Sequence, residues 1–482
     1  MSNGNSFTFY YPKTSGTSGS GKKLAMKKTS IGGKEPRYVK PFEFIEKNFS
    51  AVSSAPFGSG ALLKSHRVIR KLDLIRATLE GGYGRRHMWT VELAMHPNQA
   101  TELTKYLFKR MEMVITCLEL DHNEAYKTVL FYEHVESSEK TTLAFILGGI
   151  GTFLAAQNWL GAGGSRMNKF MHAGLYAKGA DGATPLIKFS SASGKCPDYL
   201  VEAENGDWHV FESKGGRTNN RWLRIIEGLS QIADVTSISW AGKVPQKAIT
   251  CVCVHTSVDP GRTLSVTAVD PPGDQFSADE TAPLRLIESV CNLLLCLEAI
   301  EYFRAFTAMS TLENLEVAGE EWTYGKSDAF GGVRVAIPRK YLIKEKAIRL
   351  RIATFFAVGD VASENRYQSG NEYSFSLFAS RVRKKLASHL GGLDSLPNSD
   401  DDNQDLQVVT QRLKSVWLHY GEHDFLSRSA EILGLDDLSD EMTLGEVEKV
   451  VVKLTENEPY AITSGGLVVQ SMFETKTDIG ID

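Results

Sequence analysis

"CPDYLVEAENGDWHVFESKGG", residues 196–216, is the stretch on which the reading of this chain turns. Two half-apolar runs flank Asn205-Gly206, a strong short-range signal for a hairpin turn. The second run, "WHVFESK", finishes in Glu212, Ser213 and Lys214. Glu212 and Lys214 are two apart, so they share one face of a strand. Asp198 opens the partner strand at the end remote from the turn, across a spacing of about 5 Å. Two carboxylates that close are costly unless something positive joins them. Lys214 is one answer. A hard divalent cation is a better one, because Mg²⁺ takes oxygen ligands and keeps several waters. Asp198, Glu212 and the main-chain carbonyl of Ser213 make an open oxygen site of that kind.

Register decides whether the two acids meet. A strict two-residue Asn205-Gly206 loop pairs Tyr199 with Glu212 and turns Asp198 to the opposite face. A three-residue loop of Asn205, Gly206 and Asp207 pairs Asp198 with Lys214 and restores the shared face, as a bulge also would. A metal site therefore predicts that the ideal two-residue register is not used.

Outward from the hairpin, the pattern continues as α/β. "LAFILGGIGTFLAAQNWLG" (143–161) reads as a Gly-rich apolar helix, and Gln157, Asn158 and four glycines argue against a membrane span. A second helical stretch is expected near "RMNKFMHAGLYA", then a short strand "PLIKFS" (185–190) before the hairpin. "NNRWLRIIEGLSQIADV" is an amphipathic helix with Trp222, Ile225, Ile226, Leu229 and Ile232 on one face. "AITCVCVHT" and "LSVTAVD" are strands divided by a Pro-Gly turn.

Here the residues carry a resemblance. Pro197-Asp198, thirteen intervening residues, then Glu212-Ser213-Lys214 behind the apolar pair Val210-Phe211 resembles the PD-(D/E)xK nuclease superfamily. The resemblance implies a restriction-endonuclease-like core, α-β-β-β-α-β, within a larger α/β protein. It implies that Asp198 and Glu212 bind Mg²⁺ (Mn²⁺ substituting) and that Lys214 orients or helps deprotonate the attacking water. The activity implied is a Mg-dependent deoxyribonuclease, an endonuclease acting on double-stranded DNA in the cytoplasm, in restriction or antiphage defence. A regulatory protein partner or a homo-oligomer is compatible with that role, and no membrane is involved. The alternative is a catalytically inactive, nuclease-like adaptor that binds nucleic acid. Two features depart from the family pattern. The 143–160 helix has no acid; Glu133, Glu136 and Glu139 lie just before it. Gln231 is followed four residues later by Val235, not by the Tyr of the QxxxY exonuclease branch.

Arg217, Arg221 and Arg224 recur at helical spacing opposite the apolar face, and Lys195 precedes the motif. Such a stripe is a solvated face in most proteins; beside a metal site it is a candidate phosphate grip, because guanidinium forks match phosphate oxygens.

Composition frames this. Of 482 residues, 42% are apolar and 23% charged, as in soluble globular chains. A net charge of -4 excludes a global field drawing the whole protein onto nucleic acid, so any basic surface is local. Six cysteines without a CxxC pair suit free thiols in a reducing compartment. The expected division is a flexible basic tail (1–40), an N-terminal α/β region (41–140), the nuclease-like core (141–275), a mixed α/β region (276–400) and a mostly helical C-terminal region (401–482). Within these, "ALLKSHRVIRKLDLIRATLE" and "NQATELTKYLFKRMEMVITCLEL" read as helices, "HMWTVELAM", "GVRVAIP" and "IATFFAV" as strands, and "APLRLIESVCNLLLCLEAIEYFRAF" as a long buried helix.

Rival motifs are weaker. "HYGEH" (419–423) fits an inverted zinc-peptidase pattern, but Gly421 weakens the helix that would align His419 with His423. "GTSGSGKK" (16–23) misses the P-loop, having Lys23 where Ser or Thr must reach Mg²⁺. "MFETK" repeats Glu474-x-Lys476 without an acid-bearing partner strand, and no nucleophilic-serine elbow occurs.

Overall fold

A computed structural model describes residues 4–12, 49–50, 64–81, 102, 105–106, 109, 112–162, 164–173, 197–232, 251–269, 287–308, 310–317, 319–327, 333–364, 372–389, 428–443 and 460–471. In chain order, the first part holds strands β1 (Asn5–Pro12), β2 (Phe49–Ser50) and β3 (Lys64–Arg67), helix α1 (Lys71–Gly81), and the pair β4 (Leu118–Leu120) and β5 (Tyr126–Thr128). Helix α2 (Ser137–Ala162) follows, then β6 (Met167–His172), β7 (Tyr199–Ala203), β8 (Trp208–Gly216), α3 (Arg221–Ile232), β9 (Cys251–Ser257) and β10 (Ser265–Val269). The remainder holds α4 (Glu288–Thr307), β11 (Glu313–Val317), β12 (Glu320–Ser327), β13 (Val333–Pro338), α5 (Arg339–Glu364), α6 (Glu372–His389), α7 (Leu435–Met442), β14 (Tyr460–Ile462) and β15 (Val468–Ser471).

The fold is mixed α/β. One sheet runs β2-β1-β10-β9-β8-β7-β6, with β3 also paired to β1. Its strands β6, β7 and β8 form an antiparallel meander, α3 crosses over, and β9 returns parallel to β8. A second, antiparallel sheet runs β11-β12-β13-β15-β14.

The two faces of the large sheet are covered differently. On one, Phe211, Val252 and Val254 pack with Leu147, Ile150, Phe153 and Leu154 of α2. On the other, Val210 and Cys253 pack with Ile225, Ile226, Leu229 and Ile232 of α3, in a core that continues into α4, α5 and the second sheet. The glycines of α2 have a physical purpose. A Cβ on Gly215 of β8 would stand 1.8 Å from the Ala144 carbonyl oxygen, and one on Gly151 would stand 1.9 Å from Thr256 Oγ1. Helix and strand meet backbone to backbone, which larger side chains forbid. This apolar helix, long enough to cross a membrane, lies mostly buried inside the protein.

Several elements differ from expectation. Residues 5–12, expected in a flexible tail, form β1, parallel to β10, with Phe7 and Phe9 buried. The alternating "SFTFYY" outweighs the Gly/Ser/Lys composition around it. "RMNKFM" is not helical: 167–172 is β6, bulged between Met167 and Lys169, with Phe170 and Met171 both buried, which hides the period-two signal. It supplies the first strand of the meander in place of "PLIKFS", which lies outside the described residues, as does "HMWTVELAM". "IATFFAV" belongs to α5, not to a strand: Ile352, Phe355, Phe356 and Val358 are all buried, and a helix enclosed on every side loses its amphipathic period. Residues 64–67 and 118–120 are strands at the edges of stretches read as helical, and the C-terminal region carries β14 and β15.

Among the described residues, Cys117, Cys253, Cys291 and Cys296 are free and buried.

Candidate active site

The β7–β8 register pairs Tyr199 with Phe211, Leu200 with Val210 and Val201 with His209. The same register sets Asp198, the residue before β7, level with Glu212. The turn is a three-residue loop, Glu204, Asn205 and Gly206, closed by Ala203 N–H to the Asp207 carbonyl at 2.8 Å. Gly206 adopts φ 82°, which favours glycine. The two-residue register is thus not used. The loop sits one residue earlier than the three-residue alternative considered from sequence, so Asp198 faces Glu212 rather than Lys214. Either way Asp198, Glu212 and Lys214 share a face, the one covered by α3.

The contacts are close. Asp198 N–H points to Glu212 Oε2 at 3.3 Å, and Ser213 N–H donates to Asp198 Oδ2 at 2.9 Å. Lys214 Nζ donates to Glu212 Oε1 at 2.6 Å and to Gln231 Oε1 of α3 at 2.9 Å. The Asp198 and Glu212 carboxyls also meet each other in a side-chain hydrogen bond. Tyr199, next to Asp198, is fixed by its hydroxyl donating to the Gly81 carbonyl of α1 at 2.7 Å. The Ser213 side chain points the other way, towards α2, where a Cβ on Gly148 would meet its Oγ. Only the main chain of Ser213 is therefore available to the acids.

Burial dominates the electrostatics. Glu212 is fully buried, and burial, then the Asp198 carboxylate, push its carboxyl up to about 7 against the pull of Lys214. Asp198 is raised by burial too, partly offset by Lys214 and the Ser213 N–H. Burial opposes the Lys214 ammonium, but Glu212 and then Asp198 outweigh it, and its pKa rises. The site thus holds two desolvated carboxyls with one fixed cation between strand and helix. A hard divalent ion fits this donor set: the available atoms are oxygens, and a second positive charge would relieve two acids that burial disfavours as anions. Among the described residues no group of three His, Cys, Asp or Glu converges on a point, so such an ion would have to be held by Asp198, Glu212, the Ser213 carbonyl and solvent.

Three further residues shape the site. A Cβ on Gly228 would lie 2.3 Å from Cys253 Sγ and 3.1 Å from Glu212 Cγ, so α3 crosses β8 at the acids because residue 228 has no side chain. Gln231 lies three residues on, on the same helix face, and holds Lys214; in the sequence it stands out only as the Gln of an incomplete QxxxY pattern. His255 pairs in register with Lys214. It is fully buried, its Nε2 has no hydrogen-bond partner among the described residues, and burial, then Arg221 and Arg224, lower it to about 4. Both arginines belong to α3, the helix that covers this face of the sheet. Arg224 is exposed and pairs with Glu227 at 3.0 Å, while the Arg221 guanidinium stacks on Trp222 at 4.3 Å. Arg217 is exposed at the end of β8, ahead of a short 3₁₀ turn. Lys195, His419, His423, Glu474 and Lys476 lie outside the described residues.

Comparison with protein-family models, with curated protein sequences and with solved structures finds no match to this chain.

Proposed function

We propose that the protein is a metal-dependent nuclease hydrolysing phosphodiester bonds of DNA, with α2, β6, β7, β8, α3 and β9 as a restriction-endonuclease-like core. The observation that carries this reading is the register: it sets Asp198 level with Glu212 and leaves Lys214 two residues along on the same face. Asp198 and Glu212 hold Mg²⁺, or Mn²⁺ in its place, with the Ser213 carbonyl. The bound ion supplies charge neutralisation at the scissile phosphate and a more acidic water. Lys214, steered by Gln231 as well as Glu212, is placed to orient that water by hydrogen bonding. Arg221 and Arg224 offer guanidinium groups to flanking phosphates from the same side of the sheet. The buried free thiols suit a reducing compartment.

The test is cleavage of supercoiled and linear duplex DNA, single-stranded DNA and RNA by the purified full-length protein, with Mg²⁺, Mn²⁺ or chelator. Metal-dependent cleavage of DNA that chelator stops supports the reading. Binding without cleavage under any of these conditions supports the adaptor instead.

A further inference from the structure

A cavity of about 940 Å³ lies at the junction of the two sheets, lined by α1, α2, β6, α4, α7 and the β14–β15 turn. None of Asp198, Glu212 and Lys214 lines it. Its walls hold polar atoms that no described residue satisfies. Arg76 Nε, Gln157 Oε1 and Ser289 Oγ are buried without a hydrogen-bond partner among the described residues, and Ser289 is only 6% exposed. Orphaned buried polar atoms cost about 1–3 kcal/mol each, so several around one cavity mark a place that something polar fills.

The charges say what that is. Arg67 and Arg76 both line the cavity and repel one another. Arg67 has no ion pair among the described residues. Arg76 reaches only to 4.0 Å from the Glu80 carboxylate. That carboxylate is already occupied by the Ser464 hydroxyl at 2.9 and 3.0 Å. An anion between the two guanidiniums satisfies both. From α7, Asp436 and Asp440, one helical turn apart, line the same cavity without an ion pair among the described residues. With Gln157 Oε1 they are acceptors awaiting donors. A bare anion answers the cations of the wall but leaves these acceptors unmet, and the volume is at the upper end of that of small-molecule sites, about 300–1,000 Å³. The ligand therefore carries an acidic group together with hydroxyl or amino donors.

We infer that this cavity binds a nucleoside phosphate, with phosphoryl oxygens on Arg67 and Arg76 and the ribose hydroxyls or base amino group towards Asp436, Asp440 and Gln157. The site is separate from the hairpin and does not depend on nuclease activity.

The experiment is calorimetric titration of the full-length protein, with chelator present. The probes are adenosine, guanosine, cytidine and uridine mono- and diphosphates, the free nucleosides, and inorganic phosphate. At least one nucleotide should bind saturably, at least about tenfold more tightly than its nucleoside or phosphate. Arg67→Gln should weaken it about tenfold or more, as loss of a charge-assisted pair implies. Asp440→Asn, at an exposed position that leaves folding intact, should weaken the nucleotide and spare phosphate. Glu212→Ala should change nothing. The inference is overturned if no nucleotide binds, if phosphate binds equally well, if neither Arg67→Gln nor Asp440→Asn matters, or if Glu212→Ala abolishes binding and so places the nucleotide at the hairpin.

Discussion

Replacing Glu212 by Gln should make the metal-free protein more stable at alkaline pH. The reasoning starts from burial. Glu212 is fully buried, and its carboxyl is held at about 7 in the folded chain against an ordinary 4.5. Between those values the folded state keeps a proton that the unfolded chain has released. The unfolded state then binds fewer protons, so stability falls as pH rises through this window. Moving one carboxyl from 4.5 to about 7 corresponds to roughly 3 kcal/mol of lost stability, complete above the upper value. Glutamine has the same shape and no charge, so Glu212→Gln escapes the loss. Part of the gain is returned because Lys214 loses its 2.6 Å carboxylate partner. We expect a net advantage of about 1–3 kcal/mol near pH 8 that vanishes near pH 4.5. The assay is thermal and urea melting of wild type and variant across that range, in chelator and then in saturating Mg²⁺. On the proposed metal role the cation should bind only the wild type tightly and so close the gap. A variant no more stable than wild type near pH 8, or a difference independent of pH, would refute the burial argument.

Other outcomes follow from the same geometry. Lys214→Ala should lose cleavage yet still bind Mn²⁺, read by titration of the ion's magnetic resonance signal, because the role proposed for Lys214 is on water and not on the metal. Gly228→Ala should cost about 1–3 kcal/mol through overpacking and depress cleavage. Adding Cys253→Ala, which removes the sulfur 2.3 Å from the new Cβ, should restore much of the melting temperature. Arg224→Ala, measured in a Glu212→Ala background so that DNA is not cut, should weaken duplex binding and reduce the salt slope by about one.

The hairpin was legible because Asn205-Gly206 is a local signal, and because strand parity tells which side chains can meet. The identity of the loop residues was not, since a slip of one position leaves composition unchanged. Helix α3 was readable from its apolar stripe: Ile225, Ile226, Leu229 and Ile232 are all in the core. Strands β1 and β6 were hidden for opposite reasons. One is a short alternating run inside a Gly/Ser/Lys-rich segment, and the other is buried on both faces. The α5 run "IATFFAV" failed because enclosure removes periodicity, leaving strand and helix indistinguishable at short range. Gln231, Gly228 and His255 reach the acids only through tertiary packing. They come from an adjacent helix and a parallel strand; Gln231 stood out only as half of a QxxxY pattern, and nothing local marks Gly228 or His255.

The central claim, that this hairpin cuts DNA with a metal, is tested most directly by the nicking rate of supercoiled plasmid in Mg²⁺ by wild type and Glu212→Ala, with folding of both checked by circular dichroism. The account predicts wild-type cleavage that chelator stops, and a rate at least roughly a hundredfold lower in the variant, the scale lost with an essential member of a catalytic unit. Undiminished cleavage by folded Glu212→Ala, under conditions where chelator silences the wild type, would contradict it and move the active site elsewhere in the chain.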